Sequence, residues 1–320
     1  MAAASAWRAG ELLWMYSARA RAGHFGLLLG LKPPRDGGDV RLRRCATHET
    51  EVSVRWPAWL CRDDGALCLG GALAMADEIT TFAGMCLFDR RARPGLTIGL
   101  SGTLAGGPLP AVNAGDEITF VTRPIKIGAS LGFVGFDVLH GDRLIASGRH
   151  TKYLSPPGLG FRLAALANAP LCRPLAHALA ERALASRAAL APPAPECRAD
   201  VLALERRDAP PAAETGAHVA EFGVALSPAV GNPAGTLHGG AVAMLGDLAC
   251  AATHEEAAAA GGAASRAPPA RMIDAAFFSS IAVGARGPGV ALVRARRARR
   301  ARTWERMLVL RSRRVRRQSR

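Results

Sequence analysis

The residues best suited to chemistry lie in one short run, Asn232-Pro-Ala-Gly-Thr-Leu-His238-Gly-Gly-Ala-Val-Ala-Met-Leu-Gly-Asp247. Attack of water on a carbonyl carbon needs a polarised carbonyl and an activated water. A Gly-Gly step that opens a helix leaves backbone N–H groups free and places the positive end of the helix dipole beside them. Such a step, here at Gly239, can act as an oxyanion hole, and losing one donor of that kind typically costs about 3 kcal/mol of transition-state stabilisation. The amide of Asn232 can add a donor or hold a water, and a carboxylate farther along the helix can orient or deprotonate that water. A histidine by itself more often serves structure. With Asn six residues before and Asp nine after, the balance for His238 shifts to function.

The chain contains a second run of this kind. Leu69-Gly-Gly-Ala-Leu-Ala-Met-Ala-Asp-Glu78 parallels His238-Gly-Gly-Ala-Val-Ala-Met-Leu-Gly-Asp247 at an offset of 169 residues. Glu78 then falls opposite Asp247, Leu69 opposite His238, and Asp63 opposite Asn232. The likeness extends weakly upstream, Glu51–Trp56 against Ala220–Leu226.

Positioning these residues requires a helix and a sheet. Leu73, Ala76, Thr80, Ala83 and Leu87 recur at helical spacing, as do Val242, Leu245, Ala249 and Ala252. After the first helix the pattern predicts strands over 96–104, 117–127, 130–139 and 143–154, separated by turn residues such as Asn113-Ala-Gly-Asp116 and His140-Gly-Asp142. After the second it predicts poorer strands over 272–281, 290–296 and 303–310, with no counterpart of 143–154. A long helix followed by an antiparallel meander is an α+β plan. The expected organisation is an N-terminal extension over 1–40, a first copy over 41–156, a connecting helix and Pro-rich linker over 157–199, a second copy over 200–310, and an Arg-rich tail over 311–320.

The Asn-x5-His-Gly-Gly-x6-Asp run resembles the hotdog-fold acyl-CoA thioesterases, most of all the phenylacetate-degradation type and the small mitochondrial acyl-CoA thioesterases. Leu144-Ile-Ala-Ser-Gly-Arg-His-Thr-Lys-Tyr-Leu154 is similar to that family's last strand. The resemblance covers roughly 45–155 and 200–310. It implies a double hotdog, two tandem copies of a long helix wrapped by an antiparallel sheet, with the second copy lacking its last strand. Family members pair the helix carboxylate of one hotdog with the Gly-Gly turn of another. A duplicated chain would build that pair internally. Joining Asn232, His238 and Gly239 to Glu78 and Thr97 gives a complete catalytic set, Thr97 lying near the family's water-orienting Ser. The reverse pairing has Asp63 and Leu69 in place of Asn and His, and an anionic Asp63 would repel an oxyanion. Pairing within one copy would make Asp247 the base, so it stands as a second candidate.

The resemblance also implies that basic groups and a strand turn hold CoA. The matching residues are Lys126, Gly128, Ser130, Arg149 and Lys152 in the first copy and Arg299 and Arg302 in the second; each charge suits a solvated strand end equally well. Acyl-CoA is the expected partner, as substrate rather than cofactor, and no metal or redox cofactor is implied. The sequence leaves open whether two chains pair as a homodimer. The rival readings are an enoyl-CoA hydratase on the same fold and a non-catalytic hotdog that binds acyl-CoA or nucleic acid.

Composition bounds these readings. The 320 residues carry a net charge of +15, but 14 Arg and one acid fall in 286–320, leaving 27 bases against 25 acids elsewhere. The body is near neutral, so nucleic acid is disfavoured as a partner. The Arg-rich end fits a surface attracting CoA or anionic lipid, a nucleic-acid tail, or GC-rich DNA read in the wrong frame, the last being slightly favoured. Seven Cys, an odd number with no C-x-x-C pair, argue against a disulfide scaffold or zinc ribbon. A reducing compartment, mitochondrial or cytoplasmic, fits. Residues 1–31 suit either an organelle transit segment or a terminal helix, docked or frayed. No apolar stretch approaches the ~20 residues that span a bilayer.

Overall fold

The computed structural model describes residues 25–29, 31, 40–46, 48–89, 91, 93–154, 202, 204–207, 218–225, 228–232, 236–260, 272–276, 290–297 and 311–313. A short helix α1 (Phe25–Leu28) precedes β1 (Val40–Cys45) and β2 (Thr50–Arg55). Helix α2 (Leu69–Ile79) follows, continuing as π-helix through Cys86, then β3 (Leu96–Leu104), β4 (Glu117–Ile127), β5 (Leu131–His140) and β6 (Arg143–Tyr153). The second half supplies β7 (Leu204–Arg207), β8 (His218–Ala225), α3 (Gly239–Ala260), β9 (Met272–Ala276), β10 (Val290–Arg297) and β11 (Arg311–Arg313).

The strands of the first half alternate as half-buried strands must. Gly132, Val134, Phe136 and Val138 of β5 face inward, as do Ile118, Phe120 and Thr122 of β4. They join an antiparallel sheet in the order β1-β2-β4-β5-β6-β3-β9, which wraps α2. This is the helix-in-sheet plan that the hotdog resemblance implies, over 40–154. Its last strand comes from the second half: β9 pairs with β3, Leu100 opposite Ala275. The other described strands of the second half form a separate sheet, β11-β10-β8-β7.

The apolar spacing in α2 suggests a one-sided helix, yet every residue from Leu69 to Cys86 is buried. The sheet covers one side and α3 the other, so no face meets water. Asp77 and Glu78 are therefore inside the protein. The π-helical turn has a local cause. The Thr80 and Thr81 hydroxyls donate back to the Ala76 and Asp77 carbonyls, and Thr50 Oγ1 donates to Ala83 O at 3.0 Å. These side-chain bonds compete with the regular ladder.

Helices α2 and α3 touch through glycine. A Cβ on Gly240 would stand 2.7 Å from Ala74 Cα, and one on Gly70 would stand 2.7 Å from Asp247 Cβ. Only residues without Cβ let the two backbones approach this closely.

Other differences from the sequence reading are local. Strands β1 and β7 pair on β2 and β8 without having been expected. Arg311–Arg313, assigned to the tail, forms β11 against β10. Near the N-terminus, Phe25, Leu28, Leu29 and Leu31 are buried against the body, where the sequence left a docked helix, a frayed one or a transit segment open. The expected connecting helix, the Pro-rich linker and the strand at 303–310 lie outside the described residues. No described helix is long and apolar enough to cross a membrane.

Candidate active site at the junction of the two helices

The chain enters α3 through a loop that fastens itself. Asn232 N donates to Thr236 O at 2.7 Å and Asn232 Nδ2 to Thr236 Oγ1 at 2.7 Å, while Thr236 N donates to Asn232 Oδ1 at 3.1 Å. His238 N then donates to Val230 O at 2.9 Å. Asn232 thus bonds within its own loop, and these bonds hold the approach to His238.

His238 is buried, and its Nε2 lies 2.6 Å from Glu78 Oε1. Its Nδ1 lies 3.1 Å from Asp77 Oδ2. The backbone N–H of Gly240 is within reach of both Asp77 Oδ2, at 2.7 Å, and His238 Nδ1, at 3.0 Å. The Gly240 N–H thus lies between the Asp77 carboxylate and the His238 ring, and the ring lies between Asp77 and Glu78. Burial alone would push the His238 pKa down; the Asp77 and Glu78 carboxylates outweigh it and raise the value. The Phe25 ring covers the imidazole at a centroid distance of 5.1 Å, and Phe25 N donates to Gly231 O at 2.9 Å.

Asp77 is the hub beneath. Its Oδ1 accepts from Thr97 Oγ1 at 2.9 Å and lies 3.1 Å from His150 Nε2 and 3.6 Å from Lys152 Nζ. Burial would raise its pKa, but Lys152, His238 and His150 hold it well below the usual carboxylate range. His150, fully buried, is pushed the other way: desolvation outweighs the attraction of Asp77 and lowers its pKa. Its Nδ1 takes a 2.6 Å contact with the Thr80 hydroxyl. Lys152 Nζ donates to Thr81 Oγ1 at 2.5 Å. Gly239 sits hard against this cluster: a Cβ there would stand 2.7 Å from Asp77 Oδ2 and 2.8 Å from Thr97 Cγ2.

The structure therefore brings His238, Gly239, Glu78 and Thr97 together, across the two halves of the chain. It places Asp247 elsewhere. Asp247 Oδ2 accepts from Cys68 Sγ at 3.3 Å, at the start of α2, where Gly71 N also donates to that sulfur. Asp63 is exposed and Leu69 buried.

The residues expected to hold CoA divide. Lys126, near the end of β4, and Ser130, on the β4–β5 turn, are exposed, and in that turn Gly128 N donates to Leu131 O at 2.8 Å. Arg149 is exposed on β6. Lys152 differs from the expected solvent-facing strand end. It lies on the inward side of β6 and is buried as the counter-ion of Asp77. Arg299 and Arg302 lie outside the described residues. Among the described residues, no cluster of His, Cys, Asp and Glu could hold a metal.

Beneath the β4–β5 turn is a buried ion pair that the sequence reading missed. Arg93 Nε lies 2.7 Å from Asp89 Oδ2, and the guanidinium donates to Gly128 O at 3.0 Å and Ala129 O at 2.5 Å. Asp89→Ala leaves that guanidinium buried without its carboxylate. We expect a loss of about 3–5 kcal/mol in denaturant unfolding, and a smaller one in the Asp89→Ala/Arg93→Met double variant.

Asp77, His150 and Phe25 were also unassigned. The available signals were two adjacent acids on an otherwise apolar helix, and a His and a Lys two apart in an alternating strand.

No family model matches the chain, and no curated protein matches it. Similar solved structures include zebrafish thioesterase superfamily member 2, 24% identical over 44% of this chain and 94% of that one, with a TM-score of 0.35. A point mutant of the phenylacetic acid degradation protein PaaI from Thermus thermophilus is 14% identical, over 39% of this chain and 100% of that one, TM-score 0.31. A hypothetical thioesterase protein from Streptococcus pneumoniae, solved with coenzyme A, is 13% identical, over 37% and 87%, TM-score 0.32. The chain is thus similar to thioesterase-superfamily structures over 37% to 44% of its length.

Proposed function

We infer that the chain is an acyl-CoA thioesterase, with one working site formed where its two halves meet as a pseudo-two-fold pair. The observation that carries this reading is the buried 2.6 Å contact between His238 Nε2 and Glu78 Oε1 at the start of α3. It sets an acid–base pair beside the N–H groups of a helix N-terminus. In this scheme Gly239 N–H binds the thioester carbonyl oxygen, where the helix dipole also favours developing negative charge. Glu78, whose Oε1 is engaged by His238, takes a proton from water through Oε2 as the water attacks the carbonyl carbon. The tetrahedral oxyanion collapses, the C–S bond breaks, and the leaving thiolate recovers a proton from the His238–Glu78 pair. The products are a free acid and CoA. Thr97, hydrogen-bonded to Asp77 and packed against Gly239, helps fix the turn.

A second reading draws on the same contact. A direct His–carboxylate pair also suits addition of water to an enoyl-CoA double bond, where one group delivers a proton and the other activates water. One experiment separates the two. The protein is incubated with short, long and aryl acyl-CoAs and with a 2-enoyl-CoA. Thiol release is followed alongside the enoyl absorbance. Release of free thiol is the expected result. Loss of enoyl absorbance without thiol release transfers the site to hydration. Silence on the whole panel, with CoA esters still bound, leaves a binding protein.

A further inference from the structure

We propose that α1, with Leu29 and Leu31 after it, is a strap closed over the His238–Glu78 pair, and that this strap must lift before an acyl thioester can reach the start of α3. The inference rests on reading that pair as the working site, but its first test needs no turnover. It starts from how little of the site meets solvent. His238 is 4% exposed and Glu78 6%, and Gly239 and Gly240 are buried. A thioester needs room for its carbonyl, its sulfur and an attacking water beside these groups.

The sides of the site built by the two copies offer no such room. Helices α2 and α3 meet backbone to backbone at Gly240 and Ala74, and β3 closes on Gly239, where a Cβ would stand 2.8 Å from Thr97 Cγ2. The cover over the imidazole is of another kind. The Phe25 ring lies 5.1 Å from it, centroid to centroid, and is itself fully buried. Phe25 belongs to neither copy. It comes from a segment that precedes β1 and packs on the turn at Pro228–Val230, one step ahead of the loop that leads to His238.

This segment is built to come away. Helix α1 has four residues, far too few to hold its shape unaided. Phe25 N donates to Gly231 O at 2.9 Å, and the side chains of Phe25, Leu28, Leu29 and Leu31 carry no polar atom to add to that bond. Their attachment is apolar burial. The seven-stranded sheet, by contrast, is laced by antiparallel ladders from β1 to β9. A segment held by a few buried side chains opens locally at lower cost than such a sheet. Lifting it leaves the sheet and the α2–α3 contact in place. It uncovers one face of the imidazole and the buried apolar space that the Phe25 ring fills, a space suited to the acyl part of the substrate.

The test reads access to the imidazole. The full chain is treated with diethyl pyrocarbonate at one pH, and labelling of His238 is followed by peptide mass mapping. Leu28→Ala/Leu31→Ala loosens the strap and changes neither Phe25, His238 nor Glu78. Val138→Ala removes a buried contact from β5 and controls for general destabilisation. The strap variant should label His238 roughly 10-fold or more faster than wild type, and Val138→Ala only within a few-fold of wild type. Equal labelling in wild type and strap variant overturns the proposal. Equal acceleration in Val138→Ala overturns it as well, because access would then follow global unfolding. A second arm adds an S-hexyl-CoA thioether and follows amide exchange of Phe25. Faster exchange on binding is the expected result, and slower or unchanged exchange makes the strap a fixed wall and overturns the proposal. A chain that binds no thioether yet shows the labelling pattern keeps the strap and removes the thioesterase reading instead.

Discussion

Glu78→Gln is expected to cut kcat for thiol release by about 10²–10⁴-fold, the range over which a positioned general base acts. Asp247→Asn is expected to stay within a few-fold of wild type. The two carboxylates occupy corresponding places in the repeat, so a sequence argument weights them nearly alike. Their contacts do not. Glu78 meets the His238 imidazole at 2.6 Å, whereas Asp247 meets the Cys68 thiol at the start of the other helix. The glutamine keeps the volume and can still bond to His238, but it cannot accept a proton from water. Parallel thermal unfolding of both variants guards against misfolding as the cause. An inactive Asp247→Asn beside an active Glu78→Gln would move the site to the opposite end of the helix pair.

Gly240→Ala is expected to lower stability and activity together. The added methyl would stand 2.7 Å from Ala74 Cα, 3.1 Å from Ala74 O and 3.2 Å from Ala74 Cβ. Two of those atoms are backbone in the middle of a buried helix, so no side chain can rotate away. Overpacking of this kind costs about 1–3 kcal/mol, and the rigid neighbour favours the upper end. Relief requires α2 and α3 to separate. That would carry His238 away from Glu78, so activity should fall together with stability. Urea unfolding should show a lower midpoint with an unchanged slope. A wild-type midpoint would mean that the helices tolerate a wider spacing than the structure shows.

Much of the first half could be read from the sequence because its strands alternate cleanly and its turns carry Gly, Asn and Asp. The strands expected at 96–104 and 117–127 form over those same residues. The His-Gly-Gly turn is legible for another reason: a rare combination of types at fixed spacing leaves few alternatives. Periodicity misled at α2. Apolar spacing reports one buried face, but a helix packed between a sheet and another helix buries its polar residues too. Asp77 therefore looked like a neighbour of the interesting residue. Its contacts are with Thr97, His150, Lys152 and His238, which lie 20 to 161 positions away in the chain. No local pattern reports such a convergence. Lys152 was misplaced by the same blindness. An inward lysine and an outward one look alike until the partner across the sheet is known.

The pairing of β3 with β9 also sets an order of events at birth. β3 ends at Leu104, while its outer neighbour begins only at Met272. At typical synthesis rates the strand spends roughly 10–30 seconds between leaving the ribosome and meeting that neighbour. During that interval Leu96–Leu104 is an open edge able to pair with any extended segment nearby, including the same strand of another nascent chain. Helix α2 waits nearly as long for α3, and until then Glu78 lacks the imidazole it meets in the finished fold. The site therefore exists at no intermediate stage of synthesis. A ribosome that stalls between the halves would release a chain with an open strand edge and without the His238–Glu78 contact.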